Sequence, residues 1–294
     1  MNQKGILYGV AAYTLWGLFP IYWKWLHVVP APQLLSHRIG WSFITLMIYI
    51  FAVRQWPQFR ATLTARNFRI YLIAAILIAV NWLTYVWAVN SDFIVETSLG
   101  YFINPLLSVL LGVIFFRERL RRVQWAAVVI AAAGVAYLAY VYGRLPLIAL
   151  LLAFSFGFYG LVKKMAPLNA LHGLTLETGI LFLPALAYLS FSQMNGTGAF
   201  LHDGTRSDLL MIFAGPVTAI PLLMFASAAR LIPLTIVGLL QYIAPTLQFL
   251  VGVFIYREPF SHDQLIGFCI VWLALVIFAV ENFYATRAPA PAKS

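Results

Sequence analysis

The chain has 294 residues, of which 63% are hydrophobic and only 10% charged, with a formal net charge of +10. Soluble domains carry about a quarter charged residues, so this composition excludes a soluble globular fold. Ten apolar runs occupy most of the length and leave no room for a nucleotide-binding, catalytic or sensory domain outside a membrane.

In chain order the runs cover roughly 5–25, 34–53, 70–90, 94–116, 122–141, 145–163, 172–191, 209–229, 233–256 and 264–283. Each is close to the ~20 residues that cross a hydrocarbon core as a helix. The first run follows Lys4 but is long for a signal-peptide core. It contains Trp16, Tyr22, Trp23 and Trp25 and has no small-x-small cleavage site after it, so it reads as a retained helix. The single cysteine, Cys269, lies in the last run, which leaves no disulfide framework and no cysteine-based metal site. No cofactor and no metal are expected.

With the N-terminus inside, fourteen of the nineteen basic residues fall in inner segments, among them Arg54–Arg69, Arg117–Arg122, Lys163 and Lys164. The outer segments hold only Lys24, Arg144, Arg206 and Arg257, and Arg38 lies inside a span. This is a positive-inside bias. The charge therefore reports orientation in a lipid bilayer, with both termini cytoplasmic, and not a nucleic-acid partner.

Residues 99–118 and 239–258 are related segments 140 positions apart, and nine of their twenty pairs are identical. The identities include Pro105/Pro245, Gly112/Gly252, Arg117/Arg257 and Glu118/Glu258, and the same offset matches Gly17 to Gly157. Five spans per half is an odd number, so the second half enters the membrane from the opposite side. The expected fold is an all-α polytopic membrane protein: ten transmembrane helices in an inverted 5+5 repeat around a central cavity. The first repeat would cover 1–141, the second 142–284 and a cytoplasmic tail 285–294. Inverted repeats let one half rock against the other and expose a midplane site to each side in turn.

Polar groups inside a span are costly, so their positions are informative. In span four, Tyr101, Asn104 and Ser108 share one helical face. In span nine, Gln241 and Gln248 are the 140-offset counterparts of Tyr101 and Ser108, with Tyr242 beside them. Asn81 and Tyr85 share a face of span three, and Trp16 and Tyr159 would complete an aromatic wall. Pro105 and Pro245 each remove a backbone donor mid-span and are expected to kink the helix. Interhelical hydrogen bonding is the competing explanation for these amides and hydroxyls. Four ionisable groups lie within or near spans: His37, Arg38, Glu96 and Glu177. Glu177 and then Glu96 are the candidates for proton coupling, against a structural role for Glu177 with Lys163 or Lys164 and a capping role for Glu96. His37 and Arg38 receive no role from spacing alone.

The strings ETSLGYFINPL (Glu96–Leu106), NWLTYVWAVN (Asn81–Asn90) and QYIAPT (Gln241–Thr246) resemble the RarD permeases, as do His37-Arg38 followed by Trp41-Ser42. Those permeases belong to the EamA-like branch of the drug/metabolite transporter superfamily, and the resemblance covers essentially the whole chain. It implies ten helices, an inverted repeat, cytoplasmic termini and a cavity formed by spans one, three, four, six, eight and nine. It also implies a bacterial inner-membrane location and the export of a small organic metabolite or drug. One departure is that Asn104 corresponds to Ala244, which puts a symmetric two-amide clamp in doubt.

The function expected is thus a secondary transporter or facilitator and not an enzyme. No Walker motif occurs, so a gradient supplies any driving force. A membrane-embedded enzyme acting on lipid would need ionisable groups clustered at one depth, and here they are scattered. A non-transporting accessory subunit would need no polar lumen. The orientation is directly testable with single cysteines in a Cys269→Ser background. An impermeant thiol reagent on spheroplasts should label the 192–207 loop and spare the Arg54–Arg69 and Arg117–Arg122 loops. Labelling at 117–122 would overturn the inversion.

Overall fold

Helix starts in this protein follow the local chemistry of the chain. Asn2, Thr64 and Asn169 each accept a backbone N–H at a helix N-terminus through the side chain, as N-cap residues do. Prolines stand at the first positions of three further helices, where the missing N–H is not needed. The computed structural model describes residues 2–91, 93–141, 147–257 and 261–287. Glu258, the boundary expected at 141/142 and most of the expected tail therefore lie at the edge of or outside the described residues.

The elements in order are α1 (Gln3–Gly17), α2 (Phe19–Lys24), α3 (Ala31–Ala52), α4 (Trp56–Ala61), α5 (Ala65–Asn90), α6 (Ile94–Phe116) and α7 (Arg122–Val141). There follow α8 (Leu147–Met165), α9 (Ala170–Met194), α10 (Thr205–Leu231), α11 (Leu234–Leu240), α12 (Ile243–Leu250), a π-helical turn (Val251–Ile255) and α13 (His262–Arg287). No strand occurs among the described residues. A 22-residue helix such as α3 is about 33 Å long, enough for a hydrocarbon core of about 30 Å. Nine stretches among the described residues are long and apolar enough to cross a membrane, with α1–α2 counted as one and α11 through the π turn as another. The tenth expected span falls within α13, whose apolar stretch among the described residues, His262–Phe278, is shorter. Large apolar side chains such as Ile114, Leu183 and Phe254 point outward, the inverse of a water-soluble surface.

The packing partners exchange under the 140-residue offset. Helix α1 packs on α10 and α8 on α5; α8 packs on α6 and α1 on α12. Helices α3 and α9, α6 and α11, and α7 and α13 pack on their own counterparts. Individual contacts obey the same rule. A Cβ on Gly17 would lie 2.6 Å from Leu247, and one on Gly157 would lie 2.6 Å from Leu107. Gly9 against Leu240 and Ala149 against Gly100 form a second such pair.

One difference from the sequence expectation has a local physical cause. Span nine, expected as one helix over 233–256, is broken at Gln241 and Tyr242 between α11 and α12. Pro245 cannot donate to the Gln241 carbonyl, which instead accepts from the Ala244 N–H at 3.2 Å in a tighter turn. Pro105, by contrast, sits inside an unbroken α6.

Small residues bring the helices close. The tightest approach to backbone is Gly215 of α10 against α3, where a Cβ would lie 2.4 Å from the Trp41 carbonyl carbon. Backbone cannot yield as a side-chain tip can, so Gly215→Ala should cost about 1–3 kcal/mol through overpacking. Gly40→Ala, where a Cβ meets nothing within 4 Å, is the control. Thermal melting of the purified variants should show a lowered midpoint for Gly215→Ala and none for Gly40→Ala. Equal midpoints would refute this account of the α3–α10 contact.

Candidate functional site

A cavity of about 50 Å3 lies where α1, α2, α3, α5, α6, α8, the break at Gln241 and α12 converge. At this size it holds only a few waters, so a larger solute requires the walls to move. Of the residues expected from sequence, Trp16, Asn81 and Tyr85 line it, as do Tyr101, Asn104, Gln241 and Gln248. Trp16 anchors the aromatic wall, with its ring centroid 5.4 Å from Tyr13, 5.5 Å from Phe156 and 5.6 Å from Phe225. Tyr85 and Tyr101 meet edge to face at 5.5 Å.

Most of the amides also tie helices together. Asn81 Nδ2 donates to the Leu152 carbonyl and to Ser155 Oγ, both at 3.0 Å, joining α5 to α8. Gln248 Nε2 donates to the Trp16 carbonyl at 3.1 Å, joining α12 to α1. Ser108 Oγ donates to Gln241 Oε1 at 3.2 Å, fastening α6 to the break between α11 and α12. Bonds of this kind contribute about 1 kcal/mol each in a membrane. Asn104 differs: it is buried, and its Oδ1 has no hydrogen-bond partner. The Tyr13 hydroxyl lies near the Gln241 side chain without forming a bond of good geometry.

A residue that spacing left without a role is the one charged side chain among the described residues of the lining. Arg38 of α3 is 3% exposed, and its guanidinium carbon lies 4.5 Å from the Trp23 ring and 4.6 Å from the Trp82 ring. Its Nε donates to Thr218 Oγ1 of α10 at 3.2 Å, and its Nη1 has no partner. Burying one charge costs several kcal/mol. A desolvated cation–π contact returns about 2 kcal/mol but supplies no counter-charge. Among the described residues no carboxylate pairs with Arg38. The sequence signal was present, since an ionisable residue inside a span is itself a mark of function. What hydropathy could not supply was the rotation that turns Arg38 inward. The cavity thus draws on span two through Arg38, whereas span eight holds Arg38 through Thr218 without lining it.

Other expected residues sit elsewhere. Tyr242 is not in the cavity lining; it is buried against Phe102, at 6.1 Å between ring centroids. Ser108 and Tyr159 also stand behind the wall. The Tyr159 hydroxyl donates to Glu177 Oε2 at 3.0 Å, and Lys163 Nζ donates to Glu177 Oε1 at 2.7 Å, in a fully buried ion pair. Glu96, at the start of α6, accepts the Ile148 N–H at 3.2 Å, which places a carboxylate at the N-terminus of α8.

Relatives match the chain along nearly its whole length. The model of the EamA-like transporter family matches residues 3–140. An uncharacterized transporter, YojE of Bacillus subtilis, is 47% identical over 98% of this chain and 97% of its own. Protein RarD of Streptomyces exfoliatus is 45% identical over 97% of this chain and 91% of its own. The chain is a RarD-like member of the EamA-like transporter family. A crystal structure with 18% sequence identity has the same fold, with a TM-score of 0.68 over 96% of this chain and 99% of that one. The chain is therefore a multi-pass membrane transporter.

In this EamA-like transporter charged side chains tie several helix ends together. Glu118, just beyond α6, accepts the Leu234 N–H at 2.9 Å, the Thr235 N–H at 3.0 Å and the Thr235 hydroxyl, capping α11. Lys164 of α8 lies 3.5 Å from the same carboxylate and donates to the Ile232 carbonyl at 3.3 Å. Arg230 donates to the Ala166 carbonyl at 2.6 Å. Burial alone would push the Glu118 carboxyl up, but the Thr235 and Leu234 donors and the Lys164 ammonium hold it below the usual carboxylate range. Arg117 and its counterpart Arg257 both adopt the left-handed conformation, with φ of 53° and 54°, where their helices end.

Proposed function

We propose that this transporter is a secondary transporter or facilitator. In this reading it moves small organic metabolites or drugs across the bacterial inner membrane by alternating access and exports them. The observation that carries the reading is the central cavity, walled by α1 and α8 and by α6 and α12, which are counterparts under the 140-residue offset. Two five-helix halves, 1–141 and 142–284, rocking about such a cavity would open it to each side in turn. The exchange of packing partners between the halves supports this, and the clustering of basic residues supports cytoplasmic termini. The export direction rests on the family resemblance.

Within this reading the solute meets Asn104 and Gln241 directly. Losing one such hydrogen bond costs about 1–3 kcal/mol, a weakening of roughly five- to over a hundredfold. Asn104→Ala and Gln241→Ala should therefore impair exchange of a mixed metabolite pool in proteoliposomes while leaving the yield of folded protein unchanged. If both variants exchange the pool as wild type does, the site assignment fails. Absence of any protein-dependent exchange by wild type would remove the transport mechanism altogether.

Proton coupling, where it operates, falls to Glu177 in the same reading, because its carboxylate is buried beside Lys163 and close behind the cavity wall. Glu177→Gln alone strands a buried ammonium, at a cost of about 3–5 kcal/mol. The informative variant is thus Lys163→Met combined with Glu177→Gln, which removes both charges. It should retain solute exchange and lose the response to an imposed pH gradient. An undiminished gradient response would take Glu177 out of the mechanism.

A further inference from the structure

The cavity is asymmetric in charge. Arg38 brings a guanidinium to the lining, and among the described residues no other member of it is ionised at neutral pH. Guanidinium remains protonated at any physiological pH, so the described residues give the cavity one positive charge and no negative one. The Trp23 and Trp82 rings lie 4.5 and 4.6 Å from the guanidinium carbon. Faces covered in this way leave the edge for binding, and an edge of parallel N–H donors matches a planar carboxylate. Nε is spent on Thr218, while Nη1 is buried and has no partner. The phenol groups of Tyr22, Tyr85 and Tyr101 lie within electrostatic reach; the Tyr22 hydroxyl is spent on the Leu210 carbonyl, while Tyr85 and Tyr101 line the cavity, can donate to an anion and bring no charge to compete with it. Elsewhere in the lining, Asn104 Oδ1 is an unused acceptor, and the Trp16 and Phe156 rings meet edge to face at 5.5 Å.

We propose that the transported solute is an organic monoanion whose carboxylate docks on the free edge of Arg38, with a flat body against the aromatic wall and a hydrogen-bond donor toward Asn104. This rests on the transport reading above and names the class of solute. The single charge argues for a monoanion over a phosphate dianion, which would call for a second cation. It also argues against amines and zwitterions, because among the described residues the lining has no carboxylate to receive an ammonium group. Solute binding would complete an ion pair that the protein leaves open, so the empty and loaded cavities differ in charge.

The test is counterflow from proteoliposomes loaded with a defined pool of small carboxylates, amino acids, nucleosides and amines, read by mass spectrometry. The pool includes nicotinate, nicotinamide and 1-methylnicotinamide, flat molecules of similar size that are anionic, neutral and cationic. Protein-dependent release should be confined to species of net negative charge. Arg38→Met should reduce that release by about tenfold or more, as expected for loss of a charge-assisted hydrogen bond. Arg38→Lys, which keeps the charge but loses the planar fork, should fall between. Release of neutral or cationic members at rates equal to the anions would overturn the proposal while leaving the transport reading intact. So would an Arg38→Met protein that keeps the wild-type preference. No release of any class would bring down the transport reading and this proposal with it. The wild-type selectivity decides the question even where Arg38→Met does not fold.

Discussion

Inside a hydrocarbon layer no polar atom can turn to water, so each must find its partner within the protein. This constraint accounts for most of the polar residues of the spans. Asn81, Gln248 and Ser108 fasten neighbouring helices, Glu96 and Glu118 meet helix N-termini, and Glu177 is closed off by Lys163 and Tyr159. The exceptions are concentrated. Of seven buried side-chain polar atoms without a partner among the described residues, three belong to Tyr13, Arg38 and Asn104 in the cavity lining. A fourth belongs to Trp23, the ring stacked on Arg38. A transporter must leave some polar groups unsatisfied until its solute arrives, and the three in the lining are placed where a solute could reach them.

Hydropathy and the 140-residue offset made the bundle legible, because span length and apolar character are properties of segments. Rotation about a helix axis is a property of packing and was only partly legible. The spacing of Tyr101 and Asn104 placed both on the cavity face, since two residues on one turn define a direction. Tyr242 follows Gln241 directly, about 100° further round a helix, and lies against Phe102 at the break between α11 and α12. Arg38 shares its span with Ser42, Thr45 and Tyr49, which spread over a polar face too wide to say which edge points inward. In the fold, Ser42 bonds the Gly215 carbonyl at 3.2 Å, Tyr49 is exposed and Arg38 lines the cavity. Three residues that look alike in a sequence thus serve packing, surface and site.

The two proline-bearing spans show how equivalent sequence yields unequal structure. Pro105 and Pro245 occupy matching positions, yet α6 runs unbroken while its counterpart divides at Gln241. A proline in a helix only frees a carbonyl and adds a clash; neighbours decide whether the helix bends or parts. Gly238, one turn before the break, packs against the Pro105 carbonyl, where a Cβ would lie at 2.9 Å. Close backbone contact pins α11 against α6, while α12 follows α1 through the Gln248 bond. The break lets one span serve two neighbours. It also puts the Gln241 side chain at the junction, where backbone departs from regular helix beside the cavity.

Under the alternating-access reading, the ties at Glu118 set the scale of the conformational change. Three donors from α11 and the Lys164 ammonium converge on one carboxylate. Hydrogen bonds to charged groups are each worth about 1.5–3 kcal/mol net of water, so breaking these ties costs several kcal/mol. Shifting a two-state equilibrium from 1:99 to 99:1 takes about 5.5 kcal/mol of differential binding. These magnitudes are comparable, and a ligand moves such an equilibrium only by binding one state better than the other. Uniform stickiness along an aromatic wall cannot do this, because stacking changes little as the walls part. A contact that depends on the closing of a charged pair in a dry cavity can, since its strength falls as water enters. The interaction able to offset the Glu118 ties is therefore one made at Arg38, which links the charge left open in the cavity to the helix ends that must separate.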